Sequence, residues 1–383
     1  MTDKLFKASQ DEEAITASIE DLLRDKIGMS GGWLSFSDYM NYVLYEPEFG
    51  YYNNRSEKFG IRGDFITAPE LSPVFAKAIS NELIPMLSEM KNPKIIEFGA
   101  GSGILAKNIL KNLLEHKSLD IEYKILEVSA VLRERQKKNL NKYRSMISWL
   151  DNLPSQPFEG VILANEVLDA MPVNRFVKKK NRVLPLGVCK VNDGFDWMVG
   201  DEDQELAMKV KSIESSVGYQ LPENYTSEIS YNISAWIRSI SELINKGALL
   251  IIDYGMSEKD YYSPERKDGT LICHHRHKNN YNPFSYLGLQ DISCWVNFTA
   301  CAEVAYESGL EVSSYTNQSN FLIDNIAKDS LDNKSFSSYD YLTSQAIKKL
   351  ILPGEMGEFF KLMLLTKNLE SPSISGRSFI TRL

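Results

Sequence analysis

The chain has 383 residues, more than one hydrophobic core usually holds, so two domains or a large core carrying an insertion are expected. Hydrophobic residues make up 43%, charged residues 25% and aromatics 11%, which excludes a wholly disordered chain, a collagen-like repeat and a coiled-coil filament. Lys and Arg total 43 against 51 Asp and Glu, a net charge of −8, so nothing draws the chain generally toward phosphate backbones or anionic lipid, and nucleic acid is not an expected partner.

An amphipathic pattern over residues 11–26 predicts a helix that stops near Gly28, and Gly31-Gly32 precede a second helix with Ser35 or Ser37 as N-cap. The acidic residues Asp11, Glu12 and Glu13 do not suit a transit peptide or signal sequence, and no apolar run approaches the roughly 20 residues that cross a bilayer. A cytoplasmic protein without membrane insertion is the expectation. Cys189, Cys273, Cys294 and Cys301 are scattered without a CxxC and are read as thiols of a reducing compartment. The stretch 46–73 is too polar and broken for core elements, yet rich in aromatic and turn residues, as functional loops often are.

From Lys94 the pattern becomes βαβαβ, with strands at 94–98, 123–127 and 161–165 and helices at about 104–115 and 130–143. After Pro172 an antiparallel meander is predicted, turning at 179–182 and at Asn192-Asp193-Gly194. A helix at about 234–246 and a buried strand at 248–253 resume the α/β pattern. A loop at 254–297, a helix near 300–308, a strand at 311–315, further helical patterns and a strand expected at the sheet edge, 361–367, complete the chain. The fold class is α/β: a mostly parallel, Rossmann-like sheet with helices on both faces and an inserted β-rich and helical lobe. The expected division is a helical and loop segment at 1–75 packing on the cofactor site, the first part of the core at 76–172, the inserted lobe at 173–232, and the second part of the core at 233–383 with a substrate-side loop at 255–298 and a helical insertion.

The strongest chemical signal is Glu97-Phe98-Gly99-Ala100-Gly101-Ser102-Gly103, where a buried strand breaks into glycines at the start of a helix. Glycines accept positive φ and carry no Cβ, so the main chain from Gly99 to Gly103 can pack against a cofactor beside a helix N-terminus. A dinucleotide fingerprint would need its third glycine at position 104, which is Ile104 here. The observed spacing, with Glu97 just ahead, favours S-adenosylmethionine, because an acid there can hold a cationic amino group and would repel a pyrophosphate. The same turn could also serve only to pack helix on strand. Glu127, followed by Val128, ends the second strand, where a carboxylate can accept both ribose hydroxyls. Asp151 follows a short third strand and could accept from an adenine amino group or be a solvated turn residue.

The fourth strand runs into Asn165-Glu166-Val167-Leu168-Asp169, at the mouth that the glycine turn also faces. Asn165 could orient an acceptor nitrogen through its carbonyl, and Glu166 or Asp169 could hold or deprotonate a cationic acceptor. A helix N-terminus capped by Asn165, with two acids complementing its dipole, accounts for the same residues.

With its remaining motifs the sequence resembles the MidA family of methyltransferases, which includes the mitochondrial complex I assembly factor. The resemblance spans nearly the whole chain. It rests on residues 36–41, Leu44-Tyr45-Glu46-Pro47, Gly50-Tyr51-Tyr52, the run from Gly63-Asp64-Phe65 to Ser72, the glycine motif, and Leu126-Glu127-Val128-Ser129 with Leu132-Arg133 and Gln136. Further on come residues 165–173, Ile252-Asp253-Tyr254-Gly255, and Asp268-Gly269-Thr270-Leu271 with His277, Gln290 and Asp291. The resemblance implies a class I S-adenosylmethionine-dependent methyltransferase fold and, from the mitochondrial member, dimethylation of protein arginine. It implies that the 63–72 loop closes over the cofactor through Thr67, Pro69 and Glu70. Glu166, then Asp169, would fix a guanidinium that stays protonated in water, with Asn165 and His277 in the catalytic set. The implied partner is a protein substrate, first of all a complex I subunit of the 49-kDa type, and a homodimer is left open. Trp295 stands where the family usually carries a histidine.

Cys273-His274-His275-Arg276-His277 with Cys294 and Cys301 offers zinc-type ligands without HxxxH or CxxC spacing, and no metal is assigned. The basic run Lys178-Lys179-Lys180 with Arg182 is read as a solvated hairpin tip. The competing functions are a cofactor-binding assembly factor without turnover and an NAD-dependent oxidoreductase.

Overall fold

A computed structural model describes residues 9–54, 58, 66–115, 120–333, 340–370 and 372–383. The chain divides into two compact units, each assembled from segments distant in sequence: Met1–Phe65, Ala170–Tyr231 and Tyr262–Cys294 in one, and Ile66–Asp169, Asn232–Tyr261 and Trp295–Leu383 in the other.

The second unit is built on one sheet. Its strands are β1 (Lys94–Phe98), β2 (Glu122–Leu126), β3 (Ile147–Leu150), β4 (Phe158–Asn165), β5 (Ile244–Met256), β6 (Glu311–Asn317) and β7 (Phe360–Lys367), in the spatial order β6-β7-β5-β4-β1-β2-β3, with the short strand Val296–Asn297 pairing with the end of β5. The five strands from β5 to β3 are parallel, and β7 runs antiparallel to both of its neighbours. Val161-Ile162-Leu163 in β4 and Leu249-Leu250-Ile251-Ile252 in β5 are unbroken apolar runs because helices cover both faces of the sheet. Among those helices are α1 (Pro73–Ser88), whose Ser72 cap accepts from the Val74 N–H, α2 (Ile104–Glu115) and α3 (Ala130–Asn139). Phe75, Ile79 and Leu83 of α1 and Leu105, Ile109 and Leu113 of α2 share one core with Ile95 and Tyr123 of the sheet.

The strand expected at the sheet edge is interior: β7 lies between β5 and β6, and β6 takes the edge. Leu362, Met363, Leu364 and Leu365 are all fully buried, and so continuous an apolar run belongs to a strand covered on both faces. The chain passes from β1 outward to β2 and β3, then returns to β4 and β5 on the other side of β1. Loops leaving β1 and β4 therefore diverge, and the crevice of such sheets opens there, beyond the carboxyl ends of the strands.

The first unit packs the helix Gln10–Met29, closed by a capping box between Ser9 and Glu12, against the helix Phe36–Tyr45. Ile19, Leu23, Tyr39 and Val43 share a core with Val173, Val188, Phe195, Leu271 and Ile292, so segments of the N-terminal region and of the inserted lobe fold together. The lobe's sheet joins Asn174–Lys179, Arg182–Val191, Gly194–Val199 and Thr226–Ile229 in antiparallel pairs, followed in part by the helix Gln204–Val217. Both predicted turns form; Lys180 and Asn181 sit at φ 50° and 61°, as a two-residue hairpin turn requires. The basic run is not wholly a solvated tip. Lys178 is buried and ion-paired with Glu214, because a strand's alternate side chains face inward.

Candidate active site

At the end of β1 the chain turns through Gly99, Gly101 and Gly103 at φ 58°, 53° and 82° and enters α2. Left-handed backbone costs a residue with a Cβ about 1–2 kcal/mol, which accounts for glycine at each of these positions. Ser102, buried between them, donates its hydroxyl to Glu70 in the short helical turn Ala68–Leu71. Thr67, Pro69 and Glu70 thus belong to this unit, and Glu70 touches the glycine turn. Gly63, Asp64 and Phe65 lie outside the described residues.

Glu97 is 2% exposed and accepts the Tyr123 hydroxyl at 2.8 Å. Burial pushes its carboxyl up to about 7; the Tyr123 bond opposes this and the nearby Glu127 adds to it. Glu127 is also buried, and burial outweighs its hydrogen bonds so that its carboxyl too sits above the usual range. One oxygen accepts the Ser129 N–H at 3.0 Å and the other the Gln136 amide at 2.8 Å. Val128, next in the chain, is 67% exposed, an apolar side chain left uncovered at the strand end. Asp151 is exposed and held by Arg133 at 2.5 Å; Arg133 also donates to the Leu150 carbonyl at 2.6 Å.

Beyond β4, residues 166–172 form bends and turns, so the alternative of a helix capped by Asn165 is not realised. Glu166 sits at φ 52°, a strained backbone for a residue with a side chain. Its N–H donates to the Ile252 carbonyl at 2.8 Å, its Oε1 accepts the Asn165 amide at 3.1 Å and its Oε2 accepts the Tyr254 hydroxyl at 3.3 Å. The Oδ1 atom of Asn165 is buried and has no hydrogen-bond partner. Asp169, further along the same bend, is also buried.

What secures this bend was not singled out by residue chemistry. Asp253, fully buried in β5, accepts the backbone N–H groups of Val167, Leu168 and Asp169 through one oxygen, at 3.2, 2.9 and 3.3 Å. Burial, then the like charge of Glu166, raises its carboxyl to about 8 against those bonds. Its signal in the sequence is an acid placed in an otherwise unbroken apolar strand. Tyr254 packs on Phe360 in a tilted arrangement with ring centres 4.3 Å apart, and Trp295, at the position expected for a histidine, meets Phe359 edge-on at 5.4 Å.

His277 belongs to the first unit. It is exposed at φ 61° in the two-residue turn that joins Ile272–His275 to Lys278–Asn280. In the same unit the Asp268-to-Leu271 motif has a folding role: the buried Glu228 accepts Arg175 at 3.2 Å and the Thr270 N–H at 2.9 Å. Asp291 accepts the Tyr52 hydroxyl at 2.8 Å.

The second unit's residues fit S-adenosylmethionine. Glu97 and Glu127 are buried carboxylates whose charge a cationic ligand and its hydroxyls would stabilise, and Asn165 keeps a buried acceptor unsatisfied. The sequence profile of the S-adenosyl-L-methionine-dependent methyltransferases matches residues 78–316. The chain belongs to this family. A crystal structure from Burkholderia thailandensis bound to S-adenosyl-homocysteine superposes with a TM-score of 0.89 at 35% identity, covering 98% of this chain and 99% of that one. Protein arginine methyltransferase NDUFAF7, mitochondrial, of Bos taurus is 27% identical over 94% of this chain and 86% of its own. The homolog of Drosophila melanogaster is 28% identical over 79% and 73%. The chain is an S-adenosylmethionine-dependent methyltransferase of α/β class, and the dinucleotide alternative does not stand.

Proposed function

We propose that this methyltransferase modifies arginine side chains of a protein, with Glu166 as the carboxylate that holds the guanidinium. The observation that carries the reading is the pair of donors on Glu166: Asn165 and Tyr254 each take one of its two oxygens and so fix the plane of the carboxylate. A carboxylate held in a fixed plane suits the planar fork of a guanidinium, which binds carboxylates in a bidentate manner. The names of the mitochondrial relatives, protein arginine methyltransferases at 27% and 28% identity, agree with that acceptor.

The cofactor supplies an electrophilic methyl group on a sulfonium. This chain's residues do the rest. Glu97 would hold the cofactor's amino group, Glu127 its ribose and Asp151 its adenine amino group, with Thr67, Pro69 and Glu70 against it. Gly99, Ala100, Gly101, Ser102 and Gly103 would leave room for its tail, and Val128 would lie under the base. Glu166 orients the acceptor nitrogen and takes the proton that a guanidinium must lose when a carbon replaces hydrogen on it. Asp169, also buried and next to the bend, would add negative charge at the acceptor. A complex I subunit of the 49-kDa type is the first acceptor to try, and the cytoplasm is the proposed compartment, in keeping with four cysteines held as thiols.

The test is incubation with methyl-labelled cofactor and the purified 49-kDa-type subunit, then hydrolysis and amino-acid analysis. Label in methylarginine, lost with Glu166→Gln, is the expected result. Label in another residue type refutes the acceptor class; cofactor binding with no transfer to any protein of a cell extract returns the assembly-factor reading.

A further inference from the structure

Gln136 lies on α3, a polar helix, yet it is 0% exposed. Its side-chain nitrogen donates to the Gly101 carbonyl at 3.0 Å and to Glu127 Oε2 at 2.8 Å. Its side-chain oxygen accepts the indole N–H of Trp149, in β3, at 2.9 Å. An indole nitrogen can only donate, so the oxygen of the amide must face Trp149 and both amide hydrogens must face Gly101 and Glu127. The amide has no alternative orientation. It joins the glycine turn, the end of β2 and the strand β3, the three segments to which the cofactor's tail, ribose and base are assigned above.

Glu127 in turn accepts the Ser129 N–H on one oxygen and the Gln136 amide on the other. The carboxylate cannot rotate without breaking one of these two bonds. We propose that Gln136 is a positioning residue for the cofactor: its amide, oriented by Trp149, locks Glu127 and the Gly101 carbonyl in the arrangement that lets Glu127 accept two ribose hydroxyls. The inference rests on the assignment of Glu127 to the ribose and deepens it. Arg133 faces the same strand ends from α3 but spends its hydrogen bonds on Asp151 and on the Leu150 and Glu127 carbonyls. It does not hold the carboxylate of Glu127 by a hydrogen bond.

The experiment is calorimetric titration of the purified protein with S-adenosyl-homocysteine, which needs no acceptor and no turnover. Glu127→Ala, Gln136→Met, Trp149→Phe and the pair Glu127→Ala with Gln136→Met are compared, with melting temperature as the folding control. Gln136→Met is expected to weaken binding on the order of tenfold or more, as loss of an oriented hydrogen bond to a charged group does, and Trp149→Phe several-fold. Because Gln136 acts through Glu127, the double variant should bind no more than about threefold weaker than Glu127→Ala alone. Titration with the 2′-deoxyadenosyl analogue should likewise show a smaller effect of Gln136→Met. A Gln136→Met affinity within threefold of wild type, or losses that multiply in the double variant, overturns the proposal while leaving Glu127 in its role. Unchanged affinity in Glu127→Ala refutes the ribose assignment and the inference together. Should Gln136→Met fail to fold, Trp149→Phe decides: its loss must vanish on the Glu127→Ala background.

Discussion

Tyr123 donates its hydroxyl to Oε2 of Glu97 at 2.8 Å within the buried sheet, so the acid at the end of β1 has one neutral donor and a nearby like charge, Glu127. Such an acid is poised to ionise when a cation arrives. Two of the four consequences below follow from carboxylates whose ionisation is held back by burial.

Cofactor binding should release a proton near neutral pH. Glu97 sits at about 7, so below that value it is protonated in the ligand-free protein and must lose its proton to pair with a cationic amino group. The dissociation constant for S-adenosylmethionine should rise toward tenfold per unit as pH falls below 7, and Glu97→Gln should flatten the profile and weaken binding about tenfold or more at neutral pH. Titration calorimetry in two buffers of different ionisation enthalpy checks it: equal heats would contradict the prediction.

Ligand-free stability should fall as pH rises from about 5 to 8. Glu97 and Asp253 are raised to about 7 and about 8 in the folded chain, so between their unfolded values and these the folded state binds more protons than the unfolded one. Their stabilisation is complete at low pH and is lost as pH rises through the folded values. For Glu97 the difference is on the order of 3 kcal/mol at most. Thermal melts at pH 5, 6.5 and 8 should show a declining midpoint, with a shallower decline in Glu97→Gln; a midpoint that climbs over this range contradicts the account.

Asp253 should matter for transfer more than for cofactor affinity. Removing its carboxylate in Asp253→Ala frees three N–H groups and the strained bend that carries Glu166. Loss of that much positioning should lower kcat on the order of 100-fold with S-adenosyl-homocysteine affinity within threefold, and Asp253→Asn, which keeps one acceptor oxygen, should recover part of the loss. Steady-state kinetics and calorimetry on the same preparations separate the two; parallel loss of both would make Asp253 a folding residue.

Gly99→Val should abolish cofactor binding without unfolding the protein. At φ 58° a β-branched residue is strained, and its Cβ would stand 3.4 Å from Val167 Cγ2 before its methyl groups are added. The expected cost is about 1–3 kcal/mol of stability and no measurable heat of binding. Binding within tenfold of wild type would show that the turn does not line the cofactor.

The parts of the site readable in the sequence are those whose signal is local. Gly99, Gly101 and Gly103 stand together, and Glu97 and Glu127 each end an apolar strand, so chemistry and position are visible at once. Asp253 is different: its partners are backbone N–H groups of Val167, Leu168 and Asp169, and no pattern of side chains announces them. Gln136 stands in a run of charged residues and enters the sequence reading only as part of a shared motif; its burial appears only once Gly101, Glu127 and Trp149 converge on it. The strand 360–367 failed as an edge for a similar reason: a strand at 311–315 is legible, but no local pattern says which strands pair, and Glu311–Asn317 lies on its outer side.

The most direct test of the central claim is mass spectrometry of the 49-kDa-type complex I subunit from cells with and without this protein, repeated with Glu166→Gln in its place. The account predicts a methylarginine present with the native chain, absent without it and absent with Glu166→Gln. An unmethylated subunit in all three, or a methylarginine that persists with Glu166→Gln, would contradict it.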